Sequence, residues 1–108
     1  MSEYLDSDGY PTEEALERLS SWGWTNYDPI GWFEFANQLW SYKDRFTKED
    51  DAFDTLFQKP VIRYTVSTGG WSGNESVIQA MQDNAMYWSM TWVQSRRGGH
   101  YIFEVPKA

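Results

Sequence analysis

Met86-Tyr87-Trp88-Ser89-Met90-Thr91-Trp92-Val93-Gln94-Ser95-Arg96-Arg97-Gly98-Gly99-His100-Tyr101-Ile102-Phe103-Glu104-Val105 is the run whose reading decides the fold. The part up to Ser95 is long enough for a helix. Trp88, Met90 and Trp92 nevertheless alternate with Ser89, Thr91 and Val93, and a period of two predicts a strand with one buried face. A two-residue Gly98-Gly99 turn then folds the run into a hairpin that pairs Trp92 with Val105 and Arg96 with Tyr101. In that register Met86, Trp88, Met90 and Trp92 share a face with Tyr101, Phe103 and Val105, and this agreement between the two strands is what favours the hairpin.

Upstream, Ile62, Tyr64 and Val66 alternate with Arg63, Thr65 and Ser67, which predicts another half-buried strand. The glycine loop Ser67-Thr68-Gly69-Gly70-Trp71-Ser72-Gly73-Asn74 follows it. A short helix with Val77, Ile78 and Met81 comes next, capped by Ser72 or Asn74 and ended by Asp83-Asn84. A strand, a helix and a second strand return in parallel, because the helix carries the chain back along the sheet. The glycine loop and the Arg96-to-His100 hairpin are therefore expected at the same edge.

The first 60 residues read as helical. Met1 to Tyr10 has no periodicity and reads as a loose arm. Thr12 caps a helix that opens with Glu13 and Glu14, buries Ala15, Leu16 and Leu19, and stops before Gly23. Trp22, Trp24 and Tyr27 form an aromatic connector. Asp28 caps a second helix with Pro29 at its first position, and Trp32, Phe35, Leu39, Tyr42 and Phe46 give it an apolar stripe over four turns. Phe33 and Trp40 lie about 100 degrees round from that stripe, so they are either central to the fold or offered to a partner. Thr47-Lys48-Glu49-Asp50 reads as a further cap, leading a short third helix with Phe53, Leu56 and Phe57 that Pro60 ends. The fold class expected is α+β: a single domain over 1–108, with two or three N-terminal helices packed on a small mixed β-α-β-β sheet that ends in the C-terminal hairpin.

Composition limits the chemistry. The chain has no cysteine and a single histidine, so a disulfide framework, a thiolate metal site and a histidine-rich metal site are all excluded, and no cofactor is implied. Neither a signal peptide nor an apolar run of the length of a membrane span is present, which leads us to expect a soluble, cytoplasmic protein. Seven Trp, seven Tyr and six Phe are more rings than a core of this size encloses, so several are expected at the surface. Residues 1–60 carry 13 Asp and Glu against 5 Lys and Arg, whereas residues 61–108 carry 3 against 4. An acidic half argues against direct nucleic-acid binding, since phosphate contacts need cations, and suits a basic partner.

The edge where loop and hairpin meet is the candidate ligand site. It would gather a helix start, the hydroxyls of Ser67, Thr68 and Ser72, the backbone of Gly70, the Trp71 indole, the Asn74 amide, and Arg96, Arg97 and His100. Helix starts attract anions, and arginine clamps carboxylates and phosphates through paired hydrogen bonds. The loop has neither the ending of a P-loop nor the spacing of a dinucleotide fingerprint, and its glycines also suit a plain tight turn with solvated arginines. A catalytic set can be drawn from His100, a serine at 67, 72 or 95, and Glu75 or Glu104, but no nucleophile-elbow motif supports it. No catalytic residue is assigned.

The run Ser67-Thr68-Gly69-Gly70-Trp71-Ser72-Gly73-Asn74-Glu75, then Trp88, Trp92, Ser95-Arg96-Arg97-Gly98-Gly99-His100-Tyr101 and Phe103, resembles a family of small uncharacterised proteins encoded in bacteriophage genomes. The resemblance covers about the last 45 residues and implies a phage origin and a place in the cytoplasm of the bacterial host. It carries no activity with it. Three functions follow as expectations. The first is a non-enzymatic phage accessory protein that binds a host or phage protein through its acidic, aromatic-rich half, with Phe33 and Trp40 at the interface. The second is a module or small enzyme for an anionic ligand at the loop and hairpin. The third is an acidic mimic of nucleic acid, against which Trp32, Phe33, Phe35 and Trp40 interrupt the run of acids.

Overall fold

The structure of the chain is a computed structural model that describes residues 4–23, 26–54 and 58–106. Two helices, α1 (Glu13–Ser20) and α2 (Pro29–Leu39), lead through a 3-10 turn at Lys43–Arg45 into strands β1 (Phe46–Asp54) and β2 (Lys59–Ser67). Helices α3 (Ser72–Asp83) and α4 (Ala85–Thr91) follow, and then β3 (Trp92–Arg96) and β4 (His100–Pro106). The α+β class is as read. The sheet, however, has the order β1-β2-β4-β3 with every neighbouring pair antiparallel, and is not mixed. β2 and β3 do run in the same direction, because both pair with β4, which is inserted between them.

The helices cover one face of the sheet. Ile62, Tyr64 and Val66 of β2 and Phe103 and Val105 of β4 are buried beneath them. Phe33 of α2 stacks on Tyr64, with ring centroids 4.2 Å apart, and meets Phe103 at 5.2 Å. Burial of such rings gives a small core most of its apolar area, and offset or edge-on contact adds about 0.5–1.5 kcal/mol per pair. Phe33 and Trp40 are therefore core residues, at 0% and 2% exposure, and present nothing to a partner. Trp40 also donates its indole N–H to the Ser67 carbonyl (3.2 Å), which ties the end of α2 to the end of β2.

Several elements depart from the periodicity reading, each because a tertiary contact outweighs a local preference. Both N-caps hold: Thr12 accepts from the Ala15 N–H and Asp28 from the Gly31 N–H. The second helix stops at Leu39, well short of Phe46. Ser41 is gripped by the Asn74 side chain and Tyr42 turns left-handed at φ 63°, which no helix continues through. The expected third helix is strand β1 as far as Asp54, while Leu56 and Phe57 lie outside the described residues, as does Trp24. β1 supplies backbone partners to the outer edge of β2, groups that would otherwise be unpaired.

The stretch from Ala85 to Thr91 is helix, not strand. Asn84 caps it by accepting from the Tyr87 N–H, and Tyr87 and Thr91, four apart, are its buried pair. Trp88 sits on Phe103 and Tyr101 from that helix, not from a strand. The hairpin that follows has a three-residue loop, Arg97-Gly98-Gly99, with both glycines at positive φ. The register is thus Arg96↔His100, Ser95↔Tyr101 and Trp92↔Phe103, with Val93 as the extra residue of a bulge. Met86, Met90 and Trp92 are exposed in consequence.

The N-terminal arm is not loose where it is described. Leu5 bridges to Pro11, the Asp6 carboxylate accepts from the Asp8 and Tyr10 N–H groups, and the Tyr4 ring packs edge-on against Phe35 at 4.9 Å.

Candidate functional site

Loop and hairpin meet as the sequence led us to expect. The Thr68 N–H donates to the Gly99 carbonyl at 3.0 Å, and Ser67 pairs with His100, which pairs in turn with Arg96. Paired residues on neighbouring strands point to the same face, with strands about 4.8 Å apart. Tyr64, Val66, Tyr101 and Phe103 face the helices, so Ser67, His100 and Arg96 form a row across the opposite, open face. Arg45, the last residue of the 3-10 turn before β1, lies at the same end of the sheet: its Cδ is 3.5 Å from the place where a side chain on Gly69 would begin.

Other residues of the expected site have internal duties. Asn74 is fully buried; its amide donates to the Ser41 carbonyl (3.0 Å) and the Thr68 carbonyl (3.2 Å), and its Oδ1 accepts from the Ser41 N–H (2.9 Å). Thr68 is buried against Gly99, where a Cβ would collide with the threonine Oγ1. Thr68 Oγ1 accepts from the Gly70 N–H, and Gly70, at φ 75°, completes the turn.

The start of α3 is not an open anion site. Trp71 occupies the cap position without a side-chain cap bond, so neither Ser72 nor Asn74 is the cap. The indole folds back so closely over Gly73 that a Cβ there would meet the ring. The Tyr10 ring packs against Trp71, tilted by 30° with centroids 4.7 Å apart, and its hydroxyl accepts from Ser72 Oγ. Glu75 also brings a negative charge to that first turn.

Three arginines and an imidazole remain. Arg45, Arg96, Arg97 and His100 have no ion pair among the described residues, and the Arg96 side chain donates only to Gln94 (3.3 Å). The middle of the sheet differs. Arg63 lies between Glu104 (2.8 Å) and Glu49 (3.4 Å) across three strands, and Lys48 is shared between Glu34 and Asp50. Ser67 Oγ is covered and finds no hydrogen-bond partner among the described residues. Exposed guanidinium and imidazole groups without internal acceptors suit an oxyanion, carboxylate or phosphate, held by charge-assisted hydrogen bonds.

The catalytic set drawn from sequence does not assemble. Ser67 and His100 are cross-strand neighbours, but Glu104 is committed to Arg63, and Glu75 lines a cleft on the helix side of the hairpin with Thr68, Gly99 and Tyr101. Among the described residues no group of three His, Cys, Asp or Glu side chains is placed to hold a metal. Arg45 was missed by the sequence reading. No motif marks it, and only the pairing of β1 with β2 brings it beside residues some twenty positions later.

Away from this end, burial pushes the Tyr64 phenol well above its usual range, and Glu34, Asp50 and Asp28 push it the same way. Its hydroxyl is buried and unpartnered among the described residues. Burial, then Tyr87, also raises Tyr27.

Compared with known protein families, curated proteins and solved structures, the chain matches none of them. Among the described residues no helix is long and apolar enough to cross a membrane.

Proposed function

We propose that the chain is a small non-enzymatic binding protein that holds an anionic group of a partner protein at the cationic end of its open sheet face. The observation that carries the reading is the row Ser67–His100–Arg96 with Arg45 and Arg97 beside it, three arginines left without carboxylates in a chain of net charge −7. Elsewhere Arg63 and Lys48 are matched to acids, while Arg18 lies over the rings of Tyr4, Trp22 and Phe35. On the resemblance of its glycine loop and hairpin, the partner is a host or phage protein. The N-terminal half remains acidic, but its Trp32, Phe33, Phe35 and Trp40 are spent on the core, which favours an interface at the glycine loop and hairpin.

The test is an NMR titration with octaglutamate. Amide signals of Ser67, Gly98, Gly99 and His100 should shift, and the effect should weaken between about 50 and about 300 mM salt as exposed charges are screened. The triple substitution Arg45→Ala, Arg96→Ala, Arg97→Ala should remove the shifts and leave the circular dichroism spectrum unchanged. Shifts that survive the triple substitution would sink the reading.

A further inference from the structure

We infer that Tyr4, Trp22 and Phe35 form an aromatic cage for a soft organic cation, a guanidinium or methylated ammonium group, and that Arg18 is its built-in occupant, which such a ligand displaces. The cage uses other residues than the anion site and prefers the opposite charge, so the inference goes beyond the function proposed above. The Arg18 Cζ lies over all three rings, 5.8 Å from the Tyr4 centroid, 5.4 Å from that of Trp22 and 5.2 Å from that of Phe35. A cation within about 6 Å of a ring centroid is attracted by the negative face of the π system, and several such faces around one cation recognise methylated ammonium groups.

The walls are fixed by contacts that do not involve the arginine. Phe35 of α2 is anchored in the core, with Tyr4 and Trp22 packed against it. Trp22 donates its indole N–H to the Asp28 carbonyl (3.0 Å) and lies within 27° of parallel to Phe35, ring centroids 5.5 Å apart. Tyr4 meets Phe35 edge-on, and its carbonyl accepts from the Thr12 N–H at 2.9 Å.

The occupant is held less firmly than the walls. Arg18 is exposed, has no ion pair among the described residues, and donates from Nη1 to the Tyr4 hydroxyl at 3.3 Å. Glu14, one turn earlier on α1, stands in the favourable helical position for an ion pair, yet the guanidinium lies over the rings instead. A guanidinium is more weakly hydrated than an ammonium, so it gives up water for a π face more readily. The cage therefore suits soft cations and not sodium. Residues 1–60 carry 13 acids against 5 Lys and Arg, a field that concentrates cations around this half.

NMR titration of the parent and of Arg18→Ala with tetramethylammonium chloride tests the cage, against sodium chloride at equal ionic strength. In the parent the Arg18 Nε–H signal should be displaced by the ring currents and should return toward its solvent position as the ligand enters. Arg18→Ala empties the cage and should bind tetramethylammonium about tenfold more tightly than the parent, the combined strength of exposed cation–π contacts. The Trp22 indole and Tyr4 ring signals report that binding. Tyr4→Leu in the Arg18→Ala background keeps apolar bulk, removes one π face, and should weaken binding about two- to fivefold. Methylguanidinium and a capped Gly-Arg-Gly peptide, titrated in the same way, separate two sources of the cation. A tighter peptide assigns a partner's side chain, equal or weaker binding of the peptide assigns a free small cation, and both support the cage. Equal affinity of the parent and Arg18→Ala would overturn the displaced occupant, and undiminished binding after Tyr4→Leu would overturn the cage. Absence of tetramethylammonium shifts at Trp22 and Tyr4 in Arg18→Ala would make the arginine a structural strut and overturn the whole inference.

Discussion

Asn74 was expected to touch a ligand or to cap a helix, and it does neither. It joins the chain after α2 to the glycine loop through three hydrogen bonds made by one fully buried amide. Asn74→Ala removes all three and leaves the Ser41 N–H and two carbonyls without that partner. At about 1 kcal/mol net per bond the loss is about 3 kcal/mol, and for a domain of this size that lowers Tm by roughly 12 to 24 °C. Asn74→Asp separates the bonds from the volume. The carboxylate still accepts from the Ser41 N–H, but its second oxygen then faces two carbonyl oxygens. The variant should be less stable than Asn74→Ala at pH 7. Burial and the facing carbonyls raise the folded pKa of the new carboxyl above its unfolded value of about 3.9. The folded state then holds the proton more tightly between the two values, so stability falls as pH rises through that window and is regained on acidification. Urea unfolding followed by tryptophan emission, at a series of pH values, measures this. A cost below about 1 kcal/mol for Asn74→Ala, or an Asn74→Asp variant whose stability relative to the parent does not change with pH, would refute the clamp.

Two further substitutions probe the core and the hairpin. Tyr64→Phe removes a hydroxyl that is buried without a partner among the described residues, so it should leave stability at pH 7 unchanged or raise it. Because the folded Tyr64 phenol titrates above its unfolded value of about 10, the parent should lose stability as pH climbs past that value, and Tyr64→Phe should lose less; equal alkaline sensitivity of the two, read by thermal melts, would count against the assignment. Gly99→Ala should destabilise more than Gly98→Ala although both have positive φ, because only the Gly99 Cβ would collide with Thr68. The shared backbone strain is about 1–2 kcal/mol, and equal Tm values for the two variants would refute the added clash.

Much of the architecture was legible where local chemistry and tertiary need agree. Thr12 and Asp28 mark helix starts because each side chain satisfies a backbone N–H within its own first turn. The alternation of Ile62, Tyr64 and Val66 marks β2 because one face of the sheet is covered and the other is open. The meeting of glycine loop and hairpin was legible too, since β2 and β3 must run the same way if helices carry the chain back between them.

The rest was decided only by the folded chain. Trp88, Met90 and Trp92 alternate by coincidence of a helix running straight into a strand; the cap at Asn84 and the burial of Tyr87 with Thr91 make Ala85–Thr91 helical, and no window of two-residue period contains that information. β1 looked like a helix because its acids suit a first turn, yet the unpaired edge of β2 makes it a strand. Arg45 joins the candidate site through that same pairing, while Asn74 and Thr68 leave it because loops that pack against each other need buried polar groups to satisfy their carbonyls. The sequence by itself determined which residue types reach this end of the molecule: hydroxyls, arginines, one imidazole and the glycines that bend the chain around them. Tertiary packing decided which of them stay free, because hydrogen-bond demand in the interior takes the short polar side chains and leaves the long cations, which carry no such duty, at the surface.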